Sequence, residues 1–167
     1  CEATPSTNKK IIVIGSGANR IGQGIEFDYS CVHAIIAAKE LGYETIIINS
    51  NPETVSTDFD ISDRLYLEPV TPEHVLNIIE LEKPIGTFFQ FGGQTSINIL
   101  RNLHKIEINV LGTNYETIDL CEDRLKFKSF LNKLNINQIN SISINSKSEI
   151  TKLKGVTFPL IVRPSYV

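Results

Sequence analysis

Short runs of consecutive apolar residues recur along the chain as far as residue 112. They are IIVIG (11–15), TIIIN (45–49), TFFQF (87–91) and INVLG (108–112), each bounded by Gly, Asn or Pro. Because their apolar residues are consecutive and do not alternate with polar ones, these runs predict strands that are covered on both faces. RLYLEP (64–69) indicates one further short strand.

Helical patterns separate these runs. The apolar positions of residues 25–41 fall on one face of a helix, and Gly42 follows as a stop signal. A second helix is predicted after Pro72, and a third from about Thr95 to His104. Strands that alternate with helices predict an α/β fold, a Rossmann-like parallel sheet with helices on both faces. Ligands of such sheets bind at the carboxyl ends of the strands.

The pattern changes after residue 112. LCEDRLKFKSFLNKLNI (120–136) predicts a helix, while NSISI (140–144) and PLIVR (159–163) predict strands that flank a weak helix. We therefore divide the chain into a disordered or artificial N-terminus at residues 1–9, a Rossmann-like domain at residues 10–119, and the incomplete beginning of an α+β unit at residues 120–167.

Composition excludes several classes of function. The chain has 16 Lys and Arg against 19 Asp and Glu, a formal net charge of -3, so it offers no basic face for nucleic acid. Its three cysteines and three histidines are scattered and lack the spacing of a metal site. Since the N-terminus also lacks an apolar signal segment, we expect a cytoplasmic protein with no membrane partner.

The loop after the first predicted strand is rich in glycine. In GSGANRIGQG the glycines are Gly15, Gly17, Gly22 and Gly24. A dinucleotide fingerprint needs glycine at its first, third and sixth positions, and the sixth position here is Arg20. The second strand also ends in Asn49, where an acidic residue would bind the ribose hydroxyls. Both features argue against an NAD site.

The same loop departs from a P-loop as well. Counting from Gly17, Gln23 and Gly24 occupy the positions of the Lys and the Ser or Thr that hold phosphate and magnesium. The loop still brings backbone N–H groups and a helix N-terminus to the sheet edge, together with Arg20 and Glu26. Polar loops also follow the second and fourth strands. Three such loops at one edge predict a polar binding site.

Three segments of the chain resemble one family of enzymes. NRIGQGIEFDYSCVHA, NSNPETVSTDFDISDRLYLEPV and FGGQTSINI are similar to the large subunits of carbamoyl phosphate synthetases, and the likeness runs from about Lys10 to Val167. NRIGQG followed by NPETVSTD resembles the second half of that duplicated subunit, which phosphorylates carbamate. Ala18 stands where the family often has proline, a difference that affects loop stiffness more than chemistry.

The resemblance implies a fold and an activity. The first domain would precede an ATP-grasp domain, whose beginning would be residues 120–167. The parent enzyme would be an ATP-dependent ligase that makes carbamoyl phosphate from bicarbonate, ATP and ammonia, taken from glutamine or free. Its cofactors would be ATP and Mg²⁺, with metal ligands expected beyond residue 167, and the isolated chain would be inactive.

The resemblance also implies roles for particular residues. Arg20, Glu26 and Glu53 would line the passage that delivers carbamate to the second ATP site. Arg124 and Arg163 would contact the phosphates of ATP, a task suited to the fixed donors of a guanidinium group. Arg163 also directly precedes Pro164 at the end of an apolar run, where we expect buried neighbours.

Partners and alternatives follow from the same resemblance. The partners would be the other half of the large subunit, the rest of the ATP-grasp domain and a glutamine amidotransferase subunit or domain. Pyrimidine and arginine biosynthesis both remain open, as does a mitochondrial location. Two other functions also remain open: a Rossmann-like module that binds nucleotide without catalysis, and a surface used only for assembly.

Overall fold

The computed structural model describes residues 3–18, 24–144 and 146–165. The chain forms two compact units, Cys1–Tyr115 and Glu116–Val167. The elements along the chain are β1 (Lys10–Ile14), α1 (Ile25–Glu40), β2 (Glu44–Asn49), β3 (Arg64–Leu67), α2 (Pro72–Glu82), β4 (Gly86–Phe88), α3 (Gly93–Leu103), α4 (Tyr115–Glu122) and α5 (Arg124–Lys133). Two short 3₁₀ helices lie at Val55–Thr57 and Lys147–Leu153.

The four strands form one parallel sheet in the order β3-β2-β1-β4. Ile12 of β1 lies opposite Ile46 of β2 on one side and Thr87 of β4 on the other. The predicted strands at 11–15, 45–49, 64–69 and 87–91 are therefore present. The first is shifted by one residue, the second is one residue longer, and the last two are shorter. The run at 108–112 contributes a single bridge, between Val110 and Thr87.

Helices cover both faces of this sheet, which confirms the predicted α/β class. α1 packs on one face, and α2 and α3 pack against each other; the right-handed rule for crossovers between parallel strands predicts them on the opposite face. On the α1 face, a buried cluster contains Val13, Cys31, Ile35 and Ile47. Alternate strand residues, among them Ile12 and Ile48, point to the opposite face and are fully buried. The core therefore lies on both sides of β1 and β2.

The helix predicted at residues 120–136 is two helices. α4 ends at Glu122 and α5 begins at Arg124, with Asp123 between them as the N-cap of α5. The Asp123 carboxylate accepts hydrogen bonds from the backbone N–H groups of Leu125 and Lys126, at 2.8 and 3.0 Å. Asp is a preferred N-cap residue because it satisfies donors that the first turn of a helix leaves free.

The strands predicted at 140–144 and 159–163 are wrong. Neither run has strand geometry, and no strand occurs among the described residues of the second unit. Ile161 and Val162 are 83% and 92% exposed, so the buried neighbours expected around Arg163 are also absent. An apolar run becomes a strand only where a neighbouring strand completes its backbone hydrogen bonds.

Candidate functional site

Three loops converge around Gly17 at the carboxyl end of the sheet. Gly17 lies in the loop after β1 with a positive φ of 73°. A side-chain carbon built on it would lie 3.5 Å from Ser50 Oγ, 3.7 Å from Thr95 Cγ2 and 3.9 Å from Val70 Cβ. These neighbours come from the segments that follow β2, β4 and β3. The predicted meeting of loops at one sheet edge is therefore present.

Asn49, the last residue of β2, fills the space beside the glycine loop. A Cβ on Gly15 would lie 2.5 Å from Asn49 Cγ, so only glycine fits at that position. The Asn49 side chain is 1% exposed, and its Oδ1 accepts hydrogen bonds from Gly17 N at 3.0 Å and Ser50 N at 2.9 Å. Asn49 Nδ2 donates to Ser56 Oγ at 3.3 Å. All three partners are part of the protein itself.

The first turn of α1 is bound to the loop that follows β2. Buried Ser56 donates its backbone N–H to the Asp28 carboxylate, at 3.2 Å to Oδ1 and 3.4 Å to Oδ2. Gly24, one of the predicted loop glycines, is the N-cap of α1 with φ 83°. Its carbonyl accepts from the N–H groups of Phe27 and Asp28. Acidic side chains in this first turn are favoured by the helix dipole.

Gly92 and Gly93, after β4, lie where close packing leaves no room for a side chain, and the sequence alone does not show this packing. A Cβ on Gly92 would lie 2.5 Å from the carbonyl oxygens of Ile14 and Gly15. A Cβ on Gly93, which has φ 62°, would lie 2.7 Å from the Phe27 ring. The QFGGQTS segment thus packs directly against the end of β1 and the start of α1. The two adjacent glycines after the fourth strand were the available signal, and we had interpreted their segment only as one of the polar loops of the predicted binding site.

The predicted passage residues are described only in part. Glu26 and Glu53 are both exposed, Glu26 in the first turn of α1 and Glu53 in the loop after β2. The Glu53 N–H donates to Asn51 Oδ1 at 3.0 Å, which closes a tight turn. Arg20 and Gly22 lie outside the described residues. The lining role of the two glutamates stays a prediction.

Arg124 and Arg163, the predicted phosphate-binding residues, are brought together in the second unit. Arg124 donates its backbone N–H to the Ser165 carbonyl and its Nε–H to the Pro164 carbonyl, both at 3.0 Å. Arg124 therefore lies beside the two residues that directly follow Arg163. Both arginine side chains are exposed. Their contact with phosphate stays a prediction.

The amino end of the sheet contains a buried ionic cluster that we did not predict. Glu82 accepts from Lys10 Nζ at 2.6 Å and from an Arg64 nitrogen at 2.9 Å, and also from the Tyr66 hydroxyl. Burial alone would raise the pKa of Glu82, but hydrogen bonds from Lys10 and Tyr66 and the positive charge of Arg64 hold that pKa below its usual range. Burial and the Glu82 carboxylate raise the pKa of Tyr66 to about 12.

Among residues 3–18, 24–144 and 146–165, no helix is both long and apolar enough to span a bilayer. The same residues contain no group of three or more His, Cys, Asp or Glu side chains that could hold a metal ion. Cys31 is buried beside the Ile14 carbonyl, and burial followed by the charge of Asp28 raises its thiol pKa to about 12.

The first unit is thus a Rossmann-like α/β domain in which the Asn49 side chain fills the space over Gly15. The sequence profile described as "Carbamoyl phosphate synthase preATP-grasp domain" matches residues 7–120. The chain belongs to this carbamoyl phosphate synthase family, as the resemblance had indicated.

Curated relatives agree with this assignment. The chain is 53% identical over 168 aligned residues to the carbamoyl phosphate synthase large chain of Pasteurella multocida, with 100% of this chain and 16% of the relative covered. It is 56% identical over 161 residues to the large chain of Clostridium acetobutylicum, with 96% of this chain and 15% of the relative covered. The chain therefore spans about one sixth of the length of these relatives.

Solved structures share the fold at low sequence identity. A pyruvate carboxylase from Rhizobium etli superimposes with a TM-score of 0.66 at 16% identity, covering 98% of this chain and 15% of the other. N5-carboxyaminoimidazole ribonucleotide synthetase from Thermus thermophilus gives a TM-score of 0.62 at 16% identity, covering 89% and 37%. These likenesses support the fold of the chain.

Proposed function

We propose that the chain acts as part of an ATP-dependent ligase, the large chain of carbamoyl phosphate synthase, in the half that phosphorylates carbamate. The observation that carries this proposal is the identity of more than half of the residues over the full chain to large chains of that name. The choice of half rests on the NRIGQG and NPETVSTD segments. The expected partners are the rest of the large subunit and a glutamine amidotransferase, in the cytoplasm.

The reaction would transfer the γ-phosphoryl group of ATP to carbamate, giving carbamoyl phosphate and ADP. Catalysis of such transfers depends on positioning and on cations that stabilise the charge of the phosphoryl oxygens. Arg124 has one guanidinium N–H bound to Pro164 and retains others for an anion, and exposed Arg163 lies in the adjoining segment. The described residues contain no group of three or more His, Cys, Asp or Glu side chains that could hold a metal ion, and we assign no step through Mg²⁺ to this chain.

The carboxyl end of the sheet in the first unit would form part of the carbamate passage. Two observations support this role. The described parts of the loops are bound to one another by buried or partly buried hydrogen bonds within the protein. Glu26 and Glu53 nevertheless keep exposed carboxylates at this end. With Arg20 they would present a polar surface to a small anion.

The test uses the complete large subunit and measures ATP formed from ADP and carbamoyl phosphate. We expect Arg163→Ala to reduce this rate about 100-fold, a usual effect of removing one donor that stabilises transition-state charge. Arg101→Ala is the matched control, because Arg101 is an exposed arginine on α3 and should leave the rate unchanged. No ATP from the native subunit would overturn the proposed function. Equal rates in both variants would overturn only the role of Arg163.

A further inference from the structure

We infer that Asn49 is a positioning residue for the candidate site. Its carboxamide binds the described part of the glycine loop, residues 15–18, to the loop that follows β2. The inference rests on the proposed function, since the loops that Asn49 joins are those that would line the carbamate passage. From the sequence, Asn49 served only as an argument against a ribose-binding site, and no role of its own was predicted for it.

The first argument is the range of segments that Asn49 connects. Its carboxamide accepts from Gly17 after β1 and donates to Ser56 in the 3₁₀ helix after β2. Ser56 in turn donates its backbone N–H to Asp28 of α1. Glu26 lies two residues before Asp28, and Glu53 three residues before Ser56. Both predicted lining carboxylates are thus carried by segments that this series of hydrogen bonds holds together.

The second argument is the chemistry of the side chain. A carboxamide provides an acceptor and a donor without charge, which suits a position that is 1% exposed. Its oxygen takes the Gly17 N–H at 3.0 Å, a loop amide of the kind that cradles phosphate in nucleotide-binding loops. Within the described residues 15–18, the Gly17 amide is therefore bound by Asn49, and the Asn49 side chain also occupies the space over Gly15.

The competing interpretation is that Asn49 only stabilises β2. Thr45 provides the matched control, because it lies at the other end of the same strand and is also fully buried. Thr45 Oγ1 donates to Asp63 Oδ2 at 2.8 Å, far from the glycine loop along β2. Thr45→Val should therefore lower stability without changing the site.

The experiment compares Asn49→Ala, Asn49→Asp and Thr45→Val in the complete large subunit. One measurement is the ratio of ATP hydrolysed to carbamoyl phosphate formed, and the other is hydrogen exchange in peptides covering residues 11–18. For Asn49→Ala we expect the ratio to rise about threefold, because a displaced passage wall lets carbamate escape. Amide exchange at residues 15–18 should become about fivefold faster, because Asn49→Ala removes the acceptor of the Gly17 N–H.

The other two variants separate positioning from stability. Asn49→Asp keeps both acceptor bonds, and the Ser56 hydroxyl can donate to it. Its buried charge should lower the melting temperature, but because the loops stay joined, this variant should restore the native ratio. Thr45→Val should leave both measurements at native values while lowering the melting temperature. A raised ratio in Thr45→Val, or a native ratio in Asn49→Ala, would overturn the inference.

The design also distinguishes failure of the inference from failure of the proposed function. If the carbamate passage exists, Glu26→Ala should raise the ratio of ATP hydrolysed to carbamoyl phosphate formed, and this result does not depend on the role of Asn49. A raised ratio in Glu26→Ala with a native ratio in Asn49→Ala removes the inference and leaves the proposed function. If the native subunit forms no carbamoyl phosphate, the proposed function fails, and unchanged exchange in Asn49→Ala would then overturn the inference as well.

Discussion

The two ends of the parallel sheet are held by different chemistry. At the amino end, Glu82 is buried against Lys10 and Arg64, which lie on β1 and β3. At the carboxyl end, neutral Asn49 and the close packing of Gly92 hold the loops. The buried charges at the amino end are paired within the protein, whereas at the carboxyl end the buried Asn49 is neutral and the Glu26 and Glu53 carboxylates are exposed. The difference supports the proposal that a ligand binds at the carboxyl end.

The physical reason lies in the cost of burying charge. A carboxylate such as Glu82 loses its hydration on burial and is tolerated only if paired and hydrogen-bonded. Lys10, Arg64 and Tyr66 supply those bonds, which occupy both of its oxygens. Because both carboxylate oxygens are already hydrogen-bonded within the protein, this cluster has a structural role and does not present a free carboxylate to a substrate. A neutral amide can be buried at lower cost, and it leaves nearby charges free.

Removing the carboxylate at the amino end should produce the largest effect. Glu82→Ala leaves Lys10 buried without its partner, and we expect the free energy of unfolding to fall by about 3 to 5 kcal/mol. Urea denaturation of the chain measures this change. Glu80→Ala, on an exposed position of the same helix, should change stability by less than about 0.5 kcal/mol. Equal losses in the two variants would show that the ionic cluster contributes nothing.

Adding one methyl group at the carboxyl end should have the next largest effect. In Gly92→Ala the new carbon would meet two backbone carbonyl oxygens at 2.5 Å, and backbone cannot move aside as a flexible side chain can. We expect a loss of about 3 kcal/mol, at the upper end of overpacking costs. Differential scanning calorimetry would detect it as a lower melting temperature.

Gly42→Ala is the matched control for that substitution. Gly42 has φ 81° but nothing within 4 Å of its added carbon, so its replacement tests backbone strain alone. We expect a loss of about 1 to 2 kcal/mol. Gly92 has an ordinary backbone conformation, and its replacement tests packing alone. If Gly92→Ala is the milder of the two, the packing of QFGGQTS against β1 is looser than the structure indicates.

The fold could be predicted from local patterns, and the site only in part. Consecutive apolar residues around Ile12 and Ile46 identified the central strands, because a strand buried on both faces needs apolar side chains at every position of a short run. The hydrogen bond from Gly17 to Asn49 joins residues 32 positions apart, and the ion pair of Lys10 with Glu82 joins residues 72 apart. No local pattern contains such pairings.

The errors in the second unit have the same origin. Asp123 is compatible with a helix interior or an N-cap, and only the hydrogen bonds of its carboxylate decide between them. The apolar runs before Asn145 and Pro164 have strand composition, but composition does not supply a neighbouring strand. The glycine loop could be compared with dinucleotide and P-loop fingerprints from the sequence alone, because those fingerprints depend on residue identity at fixed spacing.

The smallest predicted effect is the acid sensitivity of the amino end. The pKa of Glu82 is lowered in the folded chain, because the hydrogen bonds and charges of its partners outweigh burial. The stabilisation is therefore complete above the unfolded-state pKa of about 4.3 and is lost as pH falls through the lower folded-state pKa. Urea titrations between about pH 6 and pH 3 should show stability falling more steeply for the native chain than for Glu82→Gln, which cannot titrate. Parallel curves would mean that other carboxylates, among them Asp63 with its lowered pKa, account for the acid sensitivity and that the Glu82 cluster does not.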